Sequence, residues 1–215
     1  AQISLYNQSQ LDKNIDYLNI QDEGGTKEII NKVSEKIIKE LATINNIKRT
    51  PIPISELNVA LQCGGSDSYS GITANPALGI ASDMLVNHGG SSILSETTEI
   101  YGAEHLLYER SINKKNVEKI EKQIEWWKEH LSKNDSTLDN NPSPGNKKGG
   151  LTTILEKSLG AVAKSGNSPM VDVLDYGEPV KTKGFNFMNS PGYDPVSVTG
   201  QAVSYTHLTL PTKQD

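Results

Sequence analysis

One segment constrains the fold of this chain more than any other, because it places a helical pattern between two short apolar runs. Residues 57–62 (LNVALQ) and 91–95 (SSILS) have the length and composition of short strands. Between them, a polar loop leads into a helical pattern that begins at Asn75-Pro76, with Asn75 as its predicted N-cap, and ends at Gly89. The whole segment is about 35 residues long, as in a βαβ unit, so we expect the two strands to be parallel.

The remaining periodicity predicts further helices and strands around this unit. An amphipathic helix begins at Thr26, its predicted N-cap, with apolar residues at steps of three and four. The pattern predicts more helices over residues 100–110, 113–133 and 151–164, a long loop over 134–150, and strands over 171–174 and 184–188. We therefore predict the α/β class: a βαβ-containing, mostly parallel sheet flanked by helices.

Three regions follow from this pattern. Residues 1–56 form a helical lead-in and a proline-containing linker, and residues 57–201 form the α/β region. Residues 202–215 are predicted not to be native, because the ten residues 203–212 (VSYTHLTLPT) translate a transposase-type sequencing adapter in one reading frame. The alternative is a genuine threonine-rich strand. On the adapter interpretation, we expect the natural sequence to continue differently after Gln201 and the chain to be a fragment of a larger enzyme.

Charge and composition exclude some classes of partner. The net charge is −5, without the basic surface that nucleic-acid binding requires, and no apolar run approaches the roughly 18 residues of a membrane span. The single cysteine cannot form an internal disulfide, which favours a reducing, cytoplasmic location. The sequence leaves the oligomeric state open, a homo-oligomer included.

The loop after the first predicted strand carries a polar set. Gly64 and Gly65 allow the backbone to approach a ligand closely, Ser66 supplies a hydroxyl, and Asp67 supplies a carboxylate. Such a set suits a polyhydroxylated ligand, although an ordinary βα turn has a similar composition. Cys63 has three open interpretations: a small buried residue, a ligand to metal or substrate, or a nucleophile with His105 as its base.

Two further segments carry ionisable groups beside predicted strand or helix ends. Glu96 follows the second strand, where a base or metal ligand would lie, and Glu104 and His105 come soon after it. Glu104 is interpreted as a solvated helix residue, and the role of His105 stays open. In the third segment, residues 141–153, Lys147 lies near a predicted helix start, where anions bind.

Four ordered motifs give the chain a family resemblance. The stretches CGGSDSYSGITANPALGIASDMLV, LSETTEIYGAEHLL, NPSPGNKKGGLTTILEKSLG and GYDPVSVTGQ resemble the altronate and galactarate dehydratase family. The resemblance covers residues 57–201 and is similar to the large C-terminal region of that family. It implies a hydro-lyase that converts a hexaric or hexonic sugar acid into a 2-keto-3-deoxy acid with a divalent metal, iron(II) or manganese(II).

The resemblance supports these segments as the site, while the individual roles are hypotheses drawn from residue chemistry. Dehydration beside a carboxylate needs a base, an acid and positive charge. The predicted catalytic residues are Asp67, Glu96, His105 and Lys147, and the predicted substrate-binding residues are Cys63, Gly64, Gly65, Ser66, Asn75, Asn146 and Thr152, with the metal ligands left unassigned. The alternatives are a sulfolactate lyase of the same family and a non-catalytic sugar-acid binding module. A thiol hydrolase is least favoured, because no helix start follows Cys63 directly.

Overall fold

The computed structural model describes residues 18–204 and divides into two compact units at Pro51. Within the first unit, helix α1 spans Thr26–Asn45, as the periodicity predicts. Its N-cap is Gly25, with a φ of 105°, so the prediction of Thr26 as the cap was wrong by one residue. No residue of α1 is buried. The tail predicted to derive from an adapter lies outside the described residues from position 205 onward.

The second unit, which starts at Ile52, contains a four-stranded sheet in which all neighbours are parallel. Its strands are β1 (Asn58–Leu61), β2 (Ser91–Leu94), β3 (Met170–Leu174) and β4 (Phe185–Met188), in the order β1-β2-β4-β3. Every residue of the two central strands is buried, as expected for a parallel sheet covered on both faces. The structure confirms the α/β class and the parallel pairing of β1 with β2.

Helices form the connections between these strands. Helix α2 (Ala74–Asn87) joins β1 to β2, and α7 (Asp194–Ser204) follows β4. The connection from β2 to β3 contains α3 (His105–Tyr108), α4 (Lys114–Ser132), α5 (Pro144–Lys148) and α6 (Ile154–Ala163). The predicted helix over 100–110 is thus one turn, and the predicted loop over 134–150 contains a short helix. Within residues 18–204, no helix is both long and apolar enough to cross a bilayer.

Alternating strand residues build the core on both faces of the sheet, because successive side chains of a strand point to opposite faces. Leu94 and Phe187 belong to the larger cluster, which also contains Ile120 and Ile124 of α4. The second cluster consists of Ile93, Leu174 and Met188, each of which is adjacent along its strand to a residue of the larger cluster.

Helix α2 packs tightly against α6. Asn75 takes part in this packing and does not cap α2, so the prediction of Asn75 as the N-cap was wrong. The N-cap of α2 is Thr73, while Asn75 Nδ2 reaches across to donate to the Gly160 carbonyl over 2.9 Å. Gly79 brings the two segments closer still, since a Cβ there would lie 2.3 Å from the Ala163 carbonyl oxygen. Only glycine at position 79 permits this approach.

A buried glutamine fixes α7 over the carboxyl ends of the strands. Gln201 Nε2 donates to the Leu61 carbonyl at 3.2 Å, the Ile93 carbonyl at 3.3 Å and Ser95 Oγ at 2.7 Å. Its Oε1 accepts from Gln62 Nε2 at 2.6 Å. These bonds satisfy polar groups that would otherwise be buried without partners, and they fix the helix beside the edge of the sheet where the predicted polar loops begin.

Candidate active site

The carboxyl ends of β1 and β2 bring Cys63 and Glu96 together. Leu61 pairs in register with Leu94, so the residues that follow the two strands emerge side by side. The Cys63 N–H donates to Glu96 Oε2 over 3.2 Å. Ligands of open α/β sheets bind at this edge, so the first two polar loops converge on the expected place.

Glu96 adopts a backbone conformation that is unusual for a glutamate. Its φ is 71° and its ψ is 67°, in the left-handed region, and its exposed fraction is only 2%. Its N–H donates to Ser190 Oγ at 2.9 Å, and the next residue, Thr97, donates from its N–H to the Ser190 carbonyl at 2.9 Å. A non-glycine residue held in this region costs about 1–3 kcal/mol, and such strain is concentrated at functional sites.

Glu99 lies one turn further on and forms a buried ion pair with a lysine of α6. Lys157 Nζ donates to Glu99 Oε1 at 2.8 Å, to Asn141 Oδ1 at 2.9 Å and to Asn146 Oδ1 at 3.2 Å. All three ammonium protons therefore have acceptors. Asn146 Nδ2 in turn donates to the Ser66 carbonyl at 3.0 Å, so this one lysine joins all three predicted polar segments.

Cys63, Glu96 and Glu99 form a cluster of potential metal ligands. The Cys63 sulfur and one carboxylate oxygen from each glutamate lie within 4.8 Å of one another. Glu96 Oε1 and Glu99 Oε2 are buried and have no hydrogen-bond partner in the described part of the chain. Unpartnered buried carboxylate oxygens are costly, and a cation would satisfy both. Sulfur with carboxylate oxygen suits a borderline divalent ion, so the donor set fits the metal that the resemblance implies.

The local electrostatics favour a positive charge in this cluster. Burial, followed by the negative charges of Glu99 and Asp194, raises the pKa of Glu96 to about 8, against the opposing effect of Lys164. Burial also raises the pKa of the Cys63 thiol. Lys164 is only 2% exposed, and its Nζ has no hydrogen-bond partner among residues 18–204. The charge of Lys164 therefore offsets only part of the rise in the pKa values of Glu96 and Cys63.

A polar cavity of about 560 Å³ opens beside the cluster. Glu99, Lys157 and the first residues of α7, among them Asp194, form one part of its wall, and Trp127 and Leu138 contribute apolar surface. Asparagine amides and hydroxyl groups line much of the remainder. The volume lies within the range of small-molecule sites, and the many neutral donors and acceptors suit a ligand rich in hydroxyl groups.

The predicted substrate-binding residues divide into two groups. Cys63, Gly64 and Asn146 line the cavity, and the Ser66 hydroxyl contacts the Cys63 sulfur. Gly65 is exposed in the same loop. The remaining two lie outside the cavity lining: Asn75 binds the Gly160 carbonyl, and the Thr152 hydroxyl donates to Glu156 Oε2 at 2.8 Å.

Of the predicted catalytic residues, only Glu96 belongs to the cluster. Asp67 closes a local turn in which its Oδ1 accepts from the Ser70 N–H at 2.7 Å. His105 is exposed at the start of α3, and Lys147 is exposed on α5. None of these three lines the cavity.

Sequence reasoning missed the two buried lysines of this region. Lys157 and Lys164 are seven residues apart, so a continuous helix would place them on the same face, two turns from one another. The signal lay in their surroundings, since the segment ILEKSLGAVAK is otherwise largely apolar or small. Asn141 was also missed as a partner of Lys157, although it begins the third polar segment.

Fold and site together define an α/β protein whose buried acidic cluster opens into a polar cavity, and comparison with known proteins specifies the family. The profile described as D-galactarate/Altronate dehydratase, C-terminal, matches residues 54–212. An altronate dehydratase of Bacillus subtilis is 47% identical over 163 residues, covering 76% of this chain and 33% of the relative. The galactarate dehydratase (L-threo-forming) of Escherichia coli is 40% identical over 189 residues, covering 87% and 36% respectively.

This chain is also similar to a subunit of a lyase that is not named a dehydratase. The beta subunit of a (2R)-sulfolactate sulfo-lyase from Chromohalobacter salexigens is 34% identical over 197 residues, covering 90% of this chain and 51% of that subunit. The chain therefore belongs to the D-galactarate/altronate dehydratase family and corresponds to its C-terminal region. It spans between a third and a half of the length of these relatives.

Proposed function

We propose that the full-length protein dehydrates a hexaric or hexonic sugar acid, altronate or galactarate, to a 2-keto-3-deoxy acid. One observation supports this proposal above the others: two buried glutamates with unpartnered oxygens lie with Cys63 beside a polar cavity. A protein that only bound a sugar acid would need hydrogen bonds, but it would gain nothing from burying carboxylate oxygens without partners.

The reaction sets the requirements for the site. A base must remove the proton from C2, an acid must protonate the C3 hydroxyl as it leaves, and positive charge must stabilise the electron-rich C1 carboxylate. The hydroxyl groups of the substrate must also be held so that the correct one departs. A cavity lined by amides and hydroxyls beside a cluster of ionisable groups supports the proposal, because it offers hydrogen-bonding groups and charged groups close together.

Cys63, Glu96 and Glu99 would hold a divalent metal, iron(II) or manganese(II), which would stabilise the negative charge that develops on the substrate carboxylate. Lys157 keeps Glu99 in place by donating to Oε1, which leaves Oε2 unpartnered. The same ammonium orients Asn141 and Asn146, which line the cavity and are suited to hydrogen-bond substrate hydroxyls. Lys157 is therefore a positioning residue in this proposal.

Asp194 is the carboxylate that we assign to take up the C2 proton. It lines the cavity at the start of α7, and its negative charge acts on Glu96. The Gln201 network fixes the helix that carries it. The proposal assigns no proton-transfer role to His105 or Lys147, because both side chains are exposed outside the cavity lining.

The test is an assay of the full-length protein with altronate, galactarate and sulfolactate. Each acid is supplied with and without iron(II) or manganese(II), and 2-keto-3-deoxy acid and sulfite are measured. Metal-dependent formation of the keto acid from altronate or galactarate is the expected result. Sulfite from sulfolactate alone would assign the protein to the sulfo-lyase branch, and tight binding of an acid without any product would favour a binding module. A cytoplasmic location stays a prediction.

A further inference from the structure

Each glutamate of the cluster has one oxygen bound by the protein and one oxygen left unpartnered. Glu96 Oε2 accepts from the Cys63 N–H at 3.2 Å, and Glu99 Oε1 accepts from Lys157 Nζ at 2.8 Å. Glu96 Oε1 and Glu99 Oε2 have no partner in the part of the chain that the structure describes. Metal-binding carboxylates are oriented by outer hydrogen bonds in this way, which leave the other oxygen available to bind the ion.

Both unpartnered oxygens belong to side chains that are almost completely buried. The exposed fraction is 2% for Glu96 and 5% for Glu99, so water does not freely replace the missing hydrogen bonds. Surface acidic pairs are common and carry no such cost. A cation would stabilise a buried glutamate pair of this kind, which has two unpartnered oxygens and one oxygen of each carboxylate within 4.8 Å of a sulfur atom.

The third donor changes which cation fits. The Cys63 sulfur lies within 4.8 Å of one carboxylate oxygen of each glutamate, and the Ser66 hydroxyl also contacts it. Thiolate sulfur is a soft ligand that favours iron, cobalt or zinc, whereas carboxylate oxygens alone favour magnesium or manganese. Sulfur at this position increases the preference for iron(II) and cobalt(II) over manganese(II) beyond the preference that carboxylates alone have.

The charges around the cluster are compatible with a thiolate ligand. Two glutamates and a thiolate contribute three negative charges, and Lys157 and Lys164 contribute two positive charges nearby. With the Asp194 carboxylate included, a divalent ion would bring the sum of these charges to zero, so an acidic substrate would not meet a net negative charge. The Cys63 proton would be released to solvent when the ion binds, as for thiol ligands generally.

We propose that Cys63 Sγ, Glu96 Oε1 and Glu99 Oε2 bind one divalent ion, and that the thiolate makes this site select iron(II)-like ions over manganese(II) and magnesium(II). Three protein ligands leave coordination positions open towards the cavity. The catalytic importance of the site depends on the proposed dehydratase function, but its existence does not.

Cobalt(II) is the probe, because direct sulfur ligation gives it an intense near-ultraviolet charge-transfer absorption. Metal-free full-length protein is titrated with cobalt(II), alone and in competition with manganese(II). The expected result is one equivalent bound with this absorption, and a preference for cobalt(II) over manganese(II) that is larger in wild type than in Cys63→Ser. Cys63→Ser should lose the absorption while still binding cobalt(II) more weakly, which identifies the sulfur even if the full-length protein has other cysteines.

Matched variants separate loss of the site from loss of the fold. Glu96→Gln should weaken cobalt(II) binding, whereas Glu109→Gln, which changes an exposed acid on the following segment, should leave it unchanged. Circular dichroism checks that each variant folds. Binding without the charge-transfer absorption, or an absorption that survives in Cys63→Ser, would overturn the thiolate assignment.

Two further results would overturn the rest of the proposal. Failure of the folded protein to bind cobalt(II) would remove the site, and an equal preference for cobalt(II) over manganese(II) in wild type and Cys63→Ser would remove the selectivity assigned to the thiolate. Sugar-acid turnover is measured separately. Turnover with manganese(II) but no sulfur ligation would leave the proposed function standing, and sulfur ligation without turnover would leave only the metal site.

Discussion

Lys157 Nζ lies 2.8 Å from Glu99 Oε1, and only 7% and 6% of the two side chains is exposed. Replacing Lys157 by methionine keeps most of the volume but leaves Glu99 buried without its cation. We expect a loss of about 3–5 kcal/mol in the free energy of unfolding, the usual cost of breaking a buried ion pair on one side. Guanidinium unfolding of the full-length protein measures it.

Two comparisons make that result interpretable. Lys147→Met changes an exposed lysine of α5 and should alter the free energy of unfolding by no more than about 0.5 kcal/mol. Adding Glu99→Gln to Lys157→Met should recover part of the lost stability, because the uncompensated charge is gone. Equal effects of the two lysine substitutions would show that the buried ion pair contributes nothing specific.

The raised pKa of Glu96 predicts how stability depends on pH in the metal-free protein. Burial, Glu99 and Asp194 raise this pKa to about 8, with Lys164 and the Cys63 N–H opposing them. Between pH about 4.5 and about 8 the folded carboxyl therefore keeps a proton that the unfolded chain releases. The contribution of Glu96 to the free energy of unfolding is greatest below pH about 4.5. It falls as the pH rises towards about 8, by at most about 1.4 kcal/mol per pH unit.

Glu96→Gln isolates this contribution. The free energy of unfolding of the variant should fall less as the pH rises, because glutamine does not titrate. From pH 5 to pH 8, the variant should therefore become progressively more stable relative to wild type. Thermal melting in the presence of a chelator, at several pH values, measures the difference. If the two proteins respond to pH in parallel, Glu96 does not titrate as this account requires.

The buried Gln201 network predicts a loss of stability when its central side chain is removed. Gln201→Ala removes the donor shared by the Leu61 and Ile93 carbonyls and one of the acceptors of Gln62 Nε2. Loss of a buried partner costs about 1–3 kcal/mol, so the melting temperature should fall by several degrees. Thr199→Ala, an exposed change on the same helix, is the control. A similar small shift for both variants would argue against the network.

Asn146 and Lys147 provide a matched pair for substrate positioning. Asn146 lines the cavity and binds both Lys157 and the Ser66 carbonyl, whereas its neighbour Lys147 is exposed. Asn146→Ala should lower kcat/KM roughly 100-fold, because small displacements of a positioning group have effects of that size. Lys147→Ala should leave kcat/KM within about twofold of wild type on the same argument. Steady-state kinetics with the preferred sugar acid measures kcat/KM for both variants. A larger loss in Lys147→Ala than in Asn146→Ala would support the catalytic role that the sequence predicted for Lys147.

Much of the fold was predictable from local pattern. The two runs ending at Leu61 and Leu94 are short, apolar and bounded by glycine or polar loops, so both strands and their parallel pairing followed from them. Helix starts were harder to place. Asn75 has the chemistry of an N-cap, but a backbone carbonyl of another helix takes its side chain. That competition is tertiary and has no signal in a local window.

The site was predictable in part, for a related reason. Cys63 and Glu96 each follow a strand, and parallel topology requires strand ends to meet at one edge. Lys157 and Lys164 could not be placed in the same way, because a lysine on a helix is usually solvated. Their burial depends on how α6 packs beside the cluster. His105 was predicted as a catalytic residue because an imidazole can transfer protons. It is exposed at the start of α3, which is only one turn long.

The role of the buried glutamates in dehydration is tested with wild-type and Glu99→Gln full-length protein supplied with iron(II). The measured quantity is the rate of 2-keto-3-deoxy acid formation from altronate and from galactarate. Glu99→Gln keeps the shape of the side chain and an oxygen for Lys157 but removes the charge. We expect wild-type protein to form product from one of the two acids. In the folded Glu99→Gln variant, we expect kcat to fall by at least roughly 100-fold. Wild-type protein that forms no product, or a variant as active as wild type, would contradict this role.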